Sequence, residues 1–245
     1  MTDEPRKLWT EHEILQAIKL YCLIPFGKID QRNPDIVKLA GQIGRTPSSV
    51  ALKMANFAAL DATLDRKGMA NVSKLDREVW NRFFNNMDVY LENFDPAQSP
   101  RFEEQATPFL YDVEAVTERT AFSSQRLKQS FFRDMVLSSY DCRCAVTGID
   151  NRELLVASHI IPWSSSPKTR LDPTNGICLS ALFDRAFDRG LVSIDQNFRL
   201  IASSEIGELS KLHIEKYLDK NISKPSRFLP SEEYLSFHRE RVFRP

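Results

Sequence analysis

One segment constrains the fold of this chain more than any other. The apolar run 154–161 predicts a short strand, and the turn pair Asn175-Gly176 precedes a second apolar run at 177–179. A helical pattern follows at once over 181–189 and ends before a glycine. The sequence therefore predicts two short strands that are joined by a long loop and followed directly by a helix.

This segment carries three side chains suited to hydrolytic chemistry. His159 ends the first strand, and a neutral imidazole with a pKa near ~6.5 can take a proton from water. Asn175 can bond backbone groups with its amide at the turn. Asp184, on the helix, offers the hard oxygen that Mg²⁺ or Mn²⁺ prefers. Asp188 lies one helical turn further and is either a second metal ligand or a brace for the helix end beside Arg189.

The whole segment resembles the HNH endonucleases, in the branch that lacks zinc knuckles. The matching residues are Ala157-Ser158-His159-Ile160-x-Pro162-Trp163, Arg170-Leu171-Asp172-Pro173-x-Asn175-Gly176-Ile177-Cys178-Leu179, Phe183-Asp184-x-Ala186-Phe187-Asp188-Arg189-Gly190-Leu191, Gln129-x-Phe131-Phe132-Arg133 and Tyr234-Leu235-x-x-His238-Arg239-Glu240-x-Val242-Phe243. The resemblance implies a ββα-metal fold and products with 5′-phosphate and 3′-hydroxyl ends. It implies that His159 is the general base, that Asn175 supports the loop, and that Asp184 is a ligand of a divalent metal, Mg²⁺ or Mn²⁺.

One position departs from this family pattern. Many members carry Asp or His immediately before the general base, whereas this chain has Ser158. A neutral hydroxyl is a poor ligand, so we expect the metal to bind weakly or through water. The change also leaves a rival interpretation open: a non-enzymatic DNA-binding regulator whose nuclease region has decayed. A protein-interaction module with no nucleic-acid role is a further alternative.

Residues 8–57 predict three short helices with a tight turn before the last. They resemble the Myb/SANT-like helix-turn-helix group through Trp9-Thr10-x-x-Glu13, Leu39-Ala40-x-x-Ile43-Gly44-Arg45-Thr46 and Ser48-Ser49-Val50 leading into Lys53. The resemblance implies that the third helix enters the major groove of DNA. The contacts would then come from Arg45 and from outward-facing Ser48, Ser49, Lys53 and Asn56. A helical interaction domain is the alternative.

We therefore predict an α+β protein of two parts. A helical, helix-turn-helix-like DNA-binding domain would span 1–94, a linker with three prolines 95–117, and the ββα-metal nuclease domain 118–245. The expected partner is double-stranded DNA, with Arg170, Arg185 and Arg189 as candidate phosphate contacts. One such site cuts one strand, so duplex cleavage implies a homodimer or two nicking events.

Composition narrows the function classes. The 33 basic and 33 acidic residues balance, which argues against a protein that coats nucleic acid indiscriminately. No apolar stretch approaches the length that a membrane span requires, and the N-terminus has no apolar signal region, so we expect a cytoplasmic protein without membrane contact. The four cysteines are too few for a disulfide scaffold and predict free thiols.

Overall fold

A computed structural model describes residues 7–63, 72–92 and 116–245. The N-terminal part is helical. Its helices are α1 (Glu11–Leu23), α2 (Pro34–Ile43), α3 (Pro47–Phe57), α4 (Lys74–Asn85) and α5 (Met87–Glu92). Within these described ranges, no helix combines the length and the hydropathy that crossing a bilayer requires.

Local capping signals set the ends of the N-terminal helices. The side chains of Thr10 and Glu13 form a reciprocal capping box at the start of α1. Thr46 caps α3 by accepting from the backbone N–H of Ser49, with a proline in the first turn. Gly44 ends α2 in the left-handed region, at φ 63°, which glycine adopts without a steric cost.

The C-terminal part combines helices with two small antiparallel sheets, so the predicted α+β class is confirmed. Its elements are α6 (Val116–Ser139), β1 (Leu155–His159), β2 (Gly176–Ser180), α7 (Ala181–Asp188), β3 (Val192–Ile194), β4 (Leu200–Ala202), α8 (Glu208–Ile214) and α9 (Glu232–Arg241). Strand β1 pairs with β2, and β3 pairs with β4. A 3₁₀ turn at Glu215–Tyr217 follows α8.

The hairpin β1–β2 packs against both α6 and α7. Gly176 makes the approach to α6 possible, since a Cβ there would lie 2.3 Å from Cγ2 of Val136. His159 is the strand partner of Gly176, so this close packing also brings the His159 ring over Phe132 of α6. The strand end that carries the candidate base is therefore held between two helices.

The N-terminal helices and the C-terminal region share a buried core. At its centre lies Arg227, whose side chain is fully buried. Its guanidinium donates to the backbone carbonyls of Tyr21, Cys22 and Ile24 at the end of α1, and to Oγ of Ser138 on α6. A cation at a helix C-terminus is stabilised by the helix dipole. Arg227 thus ties α1 to the C-terminal region through charged hydrogen bonds.

Two further sequence expectations concern the linker and the cysteines. Of the predicted linker 95–117, residues 95–115 lie outside the described residues, and the last two belong to α6. The expectation of free cysteines agrees with the structure: all four are free thiols, and Cys22, Cys144 and Cys178 are buried.

Candidate active site

The ring of His159 is fixed on three sides. It stacks on Phe132 with ring centroids 4.0 Å apart and meets Trp163 edge-on at 5.4 Å. Its Nε2 lies 3.0 Å from the backbone oxygen of Arg170, which can only accept, so the proton resides on Nε2. Nδ1 is then the nitrogen able to take a proton. Burial lowers the pKa of His159, against the opposing effects of the Arg170 carbonyl and the Asp184 carboxylate.

Asn175 is fully buried and braces the loop between the two strands. Its Oδ1 accepts from the N–H of Ile161 at 2.7 Å, and its Nδ2 donates to the backbone oxygens of Ile161 and Thr169 at 3.2 and 3.0 Å. All of these bonds hold the main chain on both sides of the loop. The contacts are those of the supporting role predicted for Asn175, and its amide bonds to backbone only.

Asp184 and Ser158 face each other between α7 and β1. Burial raises the pKa of the Asp184 carboxyl, while the Ser158 hydroxyl, Arg185 and His159 lower it. The Ser158 side chain is 98% buried, since only 2% of the residue is exposed. Its Oγ is close enough to Asp184 to lower the pKa of that carboxyl, but it makes no hydrogen bond of normal geometry within the described chain. A buried hydroxyl without a partner is costly unless something else binds it.

Asp188 lies on the same helix, one turn from Asp184, and is exposed. Burial raises the pKa of its carboxyl, and the charge of Asp184 raises it further. Among the residues that the structure describes, no cluster of three or more His, Cys, Asp or Glu side chains could hold a metal ion. The available oxygens are one half-buried carboxylate, one buried hydroxyl and one exposed carboxylate. This set fits a weakly held Mg²⁺ or Mn²⁺, which commonly keeps several waters and binds through one or two carboxylates plus phosphate.

Arg170 lies beside the base. Its Nε donates to the backbone oxygen of Trp163 at 2.9 Å, and its guanidinium carbon lies 4.9 Å from the centroid of the Trp163 ring. The same residue supplies the carbonyl that holds His159. Arg185 and Arg189 are exposed on α7. The structure therefore places Arg170 in the loop that contacts His159, and Arg185 and Arg189 at the helix that carries Asp184.

The basic residues predicted to contact DNA at the third helix, Lys53 and Arg45, form ion pairs with carboxylates of the helical unit. Lys53 binds both carboxylate oxygens of Asp76 on α4, at 2.9 and 3.0 Å. Arg45 pairs with Glu13 at 2.8 Å and stacks over Trp9. These cations are neutralised inside the helical unit.

The outward positions expected on α3 are correct only in part. Asn56 is buried, so the outward orientation predicted for it is wrong. The outward orientation predicted for Lys53 is also wrong, because its amine binds Asp76 and lies over the ring of Trp9. Ser49 is half-buried, and Ser48 alone of the four is exposed. The reason is the register of α3 against α1 and α4, which depends on partners distant in sequence.

Several residues that shape the site were not assigned a role from the sequence. The carbonyl of Arg170 and the rings of Phe132 and Trp163 orient His159. The buried Arg227 was not singled out, because nothing local distinguishes it from the other basic residues. Phe132, Trp163 and Arg170 lie in the quoted motifs, so the motif match could have singled them out, whereas Arg227 lies outside those motifs.

Comparison with known proteins agrees with this geometry. Residues 144–195 match the family model described as HNH endonuclease, and this range contains β1, β2 and α7. A solved structure titled "Modification dependent TagI restriction endonuclease" is similar over 45% of this chain and 37% of its own, with 16% identity and a TM-score of 0.33. No curated protein matches the chain. The segment 144–195, which carries His159, Asn175 and Asp184, is therefore similar to the HNH endonucleases.

Proposed function

We propose that the protein is a metal-dependent endonuclease that hydrolyses phosphodiester bonds in double-stranded DNA. The observation that carries this proposal is the fixed ring of His159. Its Nε2 is held by the backbone carbonyl of Arg170, and the nearby negative charge of Asp184 on α7 raises its pKa. A base and an anionic ligand on adjacent elements are the pair that metal-assisted phosphodiester hydrolysis needs.

The base would act through Nδ1. Because Nε2 donates to Arg170, Nδ1 carries the lone pair that accepts a proton from the attacking water. The lowered pKa keeps the ring neutral, and therefore competent as a base, at neutral pH. Stacking on Phe132 prevents the ring from turning away while the proton is transferred.

Asp184 would hold the divalent cation, with the buried hydroxyl of Ser158 beside it. The cation, when bound, would stabilise negative charge on the scissile phosphate and the leaving 3′ oxygen. Asp184 is only half-buried, so a phosphate can approach it from solvent. Since Ser158 contributes no charge, we expect metal affinity to be low in the free protein and to rise when DNA phosphate joins the ligand set.

The phosphate backbone would bind to arginines near this pair. Arg170 is immobilised on Trp163, and the exposed Arg185 and Arg189 share α7 with Asp184. Guanidinium groups bind phosphate oxygens in a fixed, often bidentate geometry. A single site cuts one strand, so cleavage of both strands would require two copies of the chain or two successive nicks. Restriction of foreign DNA is the biological role that the family resemblance favours.

The test is cleavage of supercoiled plasmid with Mg²⁺ or Mn²⁺, with EDTA as the metal-free arm. We expect His159→Ala to lower the cleavage rate by about 10²–10⁴ and to leave folding and DNA affinity largely intact. His213→Ala is the matched control, because His213 is an exposed histidine on α8, outside the site. Near wild-type cleavage by His159→Ala would refute the assignment of the base.

The rival function makes an opposite prediction. A DNA-binding regulator with a decayed nuclease region would bind duplex DNA in a salt-dependent way and cut it under no metal condition. Only Ser158 favours that interpretation, whereas the positions of His159, Asn175 and Asp184 oppose it.

Ligation of the cleavage products without prior phosphorylation would confirm the 5′-phosphate ends.

A further inference from the structure

Helix α9 lies beside the candidate site and contacts both the loop after β1 and the end of α7. It carries Tyr234 and His238, which belong to the C-terminal motif noted in the sequence. Neither residue lies among the predicted base and metal ligands. Both nevertheless make specific polar contacts, and these contacts reach the two halves of the site.

Tyr234 reaches the loop that holds the base. Its hydroxyl donates to Oδ2 of Asp172 at 2.9 Å. The other oxygen, Oδ1, accepts from both the N–H and the hydroxyl of Thr174, at 2.9 and 2.7 Å. The backbone adds a second link, because the N–H of Ser231, just before α9, donates to the oxygen of Thr174. Asp172 lies two residues after Arg170, whose carbonyl holds His159.

His238 contacts α7, the helix that carries Asp184. It is buried, and its Nε2 donates to the oxygen of Phe187 in the last turn of α7, at 3.1 Å. Its Nδ1 then accepts from the hydroxyl of Ser193 at 2.9 Å. The ring also stacks on Phe187, with centroids 3.6 Å apart and planes within 9°. The end of α7, four residues beyond Asp184, is thereby held by α9 as well.

We propose that α9 sets the position of the His159 loop relative to the Asp184 helix, and that Tyr234 is the positioning residue on the side of the base. One rigid helix contacts both halves, so a change in either contact alters their relative placement. The inference rests on the proposed nuclease function and deepens it: Tyr234 would act through the loop that holds His159, and the rate of cleavage would depend on its hydroxyl.

The test uses Tyr234→Phe in the full-length protein, which removes only the hydroxyl. Ser236→Ala is the matched control: it removes a hydroxyl from the same helix, and this hydroxyl bonds the solvent-exposed Glu240. Plasmid nicking is measured to separate kcat from KM. We expect Tyr234→Phe to lower kcat about 10-fold to 100-fold with KM unchanged, as a small displacement of a catalytic group does. Ser236→Ala should keep both constants.

A second measurement needs no cleavage. In ¹⁵N NMR at a pH where imidazoles are neutral, the two ring nitrogens of His159 should have well-separated shifts in the wild type, because the proton is fixed on Nε2. We expect the shifts to converge in Tyr234→Phe, because a loosened loop lets the ring sample both tautomers, and to stay apart in Ser236→Ala.

The outcomes separate the two proposals. If the wild type fails to cut DNA but the shifts converge in Tyr234→Phe, the nuclease proposal fails and the positioning role stands. If the wild type cuts and Tyr234→Phe retains the wild-type kcat, the inference is overturned. A fall in kcat with unconverged shifts overturns it too, since Tyr234 would then not act through the loop.

Discussion

Replacing Ser158 by Asp should convert a weak metal site into a stronger one. The hydroxyl is buried and lies beside the carboxyl of Asp184, so a carboxylate in its place would supply a second anionic ligand. Ser158→Asn is the matched control, because it has nearly the same size as Asp and carries no charge. The two variants therefore differ mainly in the charge of the introduced side chain.

The magnitude follows from the proximity of the two carboxylates. At about 5 Å and an effective dielectric constant of about 20, two like charges repel by roughly 3 kcal/mol. Without metal, Ser158→Asp should therefore unfold more readily than Ser158→Asn. A divalent ion removes this repulsion, and at about 100 times its Kd it adds about 2.7 kcal/mol to the free energy of unfolding. For a chain of this size that gain corresponds to an increase in Tm of roughly 5–10 °C.

Thermal unfolding with Mn²⁺ and with EDTA measures both effects. We expect a large increase in Tm on adding Mn²⁺ only for Ser158→Asp, and a small one for the wild type and Ser158→Asn. Titration calorimetry then gives the affinities directly. The reasoning is refuted if the two variants respond equally to Mn²⁺, because the metal would then not bind between β1 and α7.

Two further predictions concern stability. Lys53→Ala leaves the carboxylate of Asp76 buried without its cation, so we expect it to lower the free energy of unfolding by about 3 kcal/mol in urea denaturation; a change below about 0.5 kcal/mol would show that the pair is solvated. Burial lowers the pKa of His238 to about 4 from its ordinary value of 6.5, so the unfolded chain binds a proton before the folded one as the pH falls. Stability from this group is complete above about pH 6.5 and declines by about 2 kcal/mol on reaching about pH 5, and a His238→Gln variant that shows the same decline would contradict the assignment.

Local sequence signals predicted most of the elements that build the site. The apolar run before His159 and the Asn-Gly turn gave strands within two residues of β1 and β2, since alternation and turn chemistry act over a few residues. The cap at Thr10 and the glycine stop at Gly44 defined helix ends for the same reason. The position of Asp184 on the helix facing β1 was implied by the family resemblance.

Side-chain direction on the third helix could not be predicted in this way. Lys53 turns toward Asp76 and Trp9, which lie on either side of it in sequence and far away. Helical periodicity identifies a polar face but not which polar residues are neutralised by another helix. The contacts of Tyr234 and Arg227 were missed for the same reason, because each links segments separated by many residues.

The hydrogen bonds from Arg227 to the end of α1 limit which parts of this chain can be exchanged for parts of another protein. A guanidinium that depends on three main-chain carbonyls of α1 cannot keep those partners if the N-terminal helices are exchanged for unrelated ones. The exchangeable unit therefore includes the segment that carries Arg227, although it lies far along the chain.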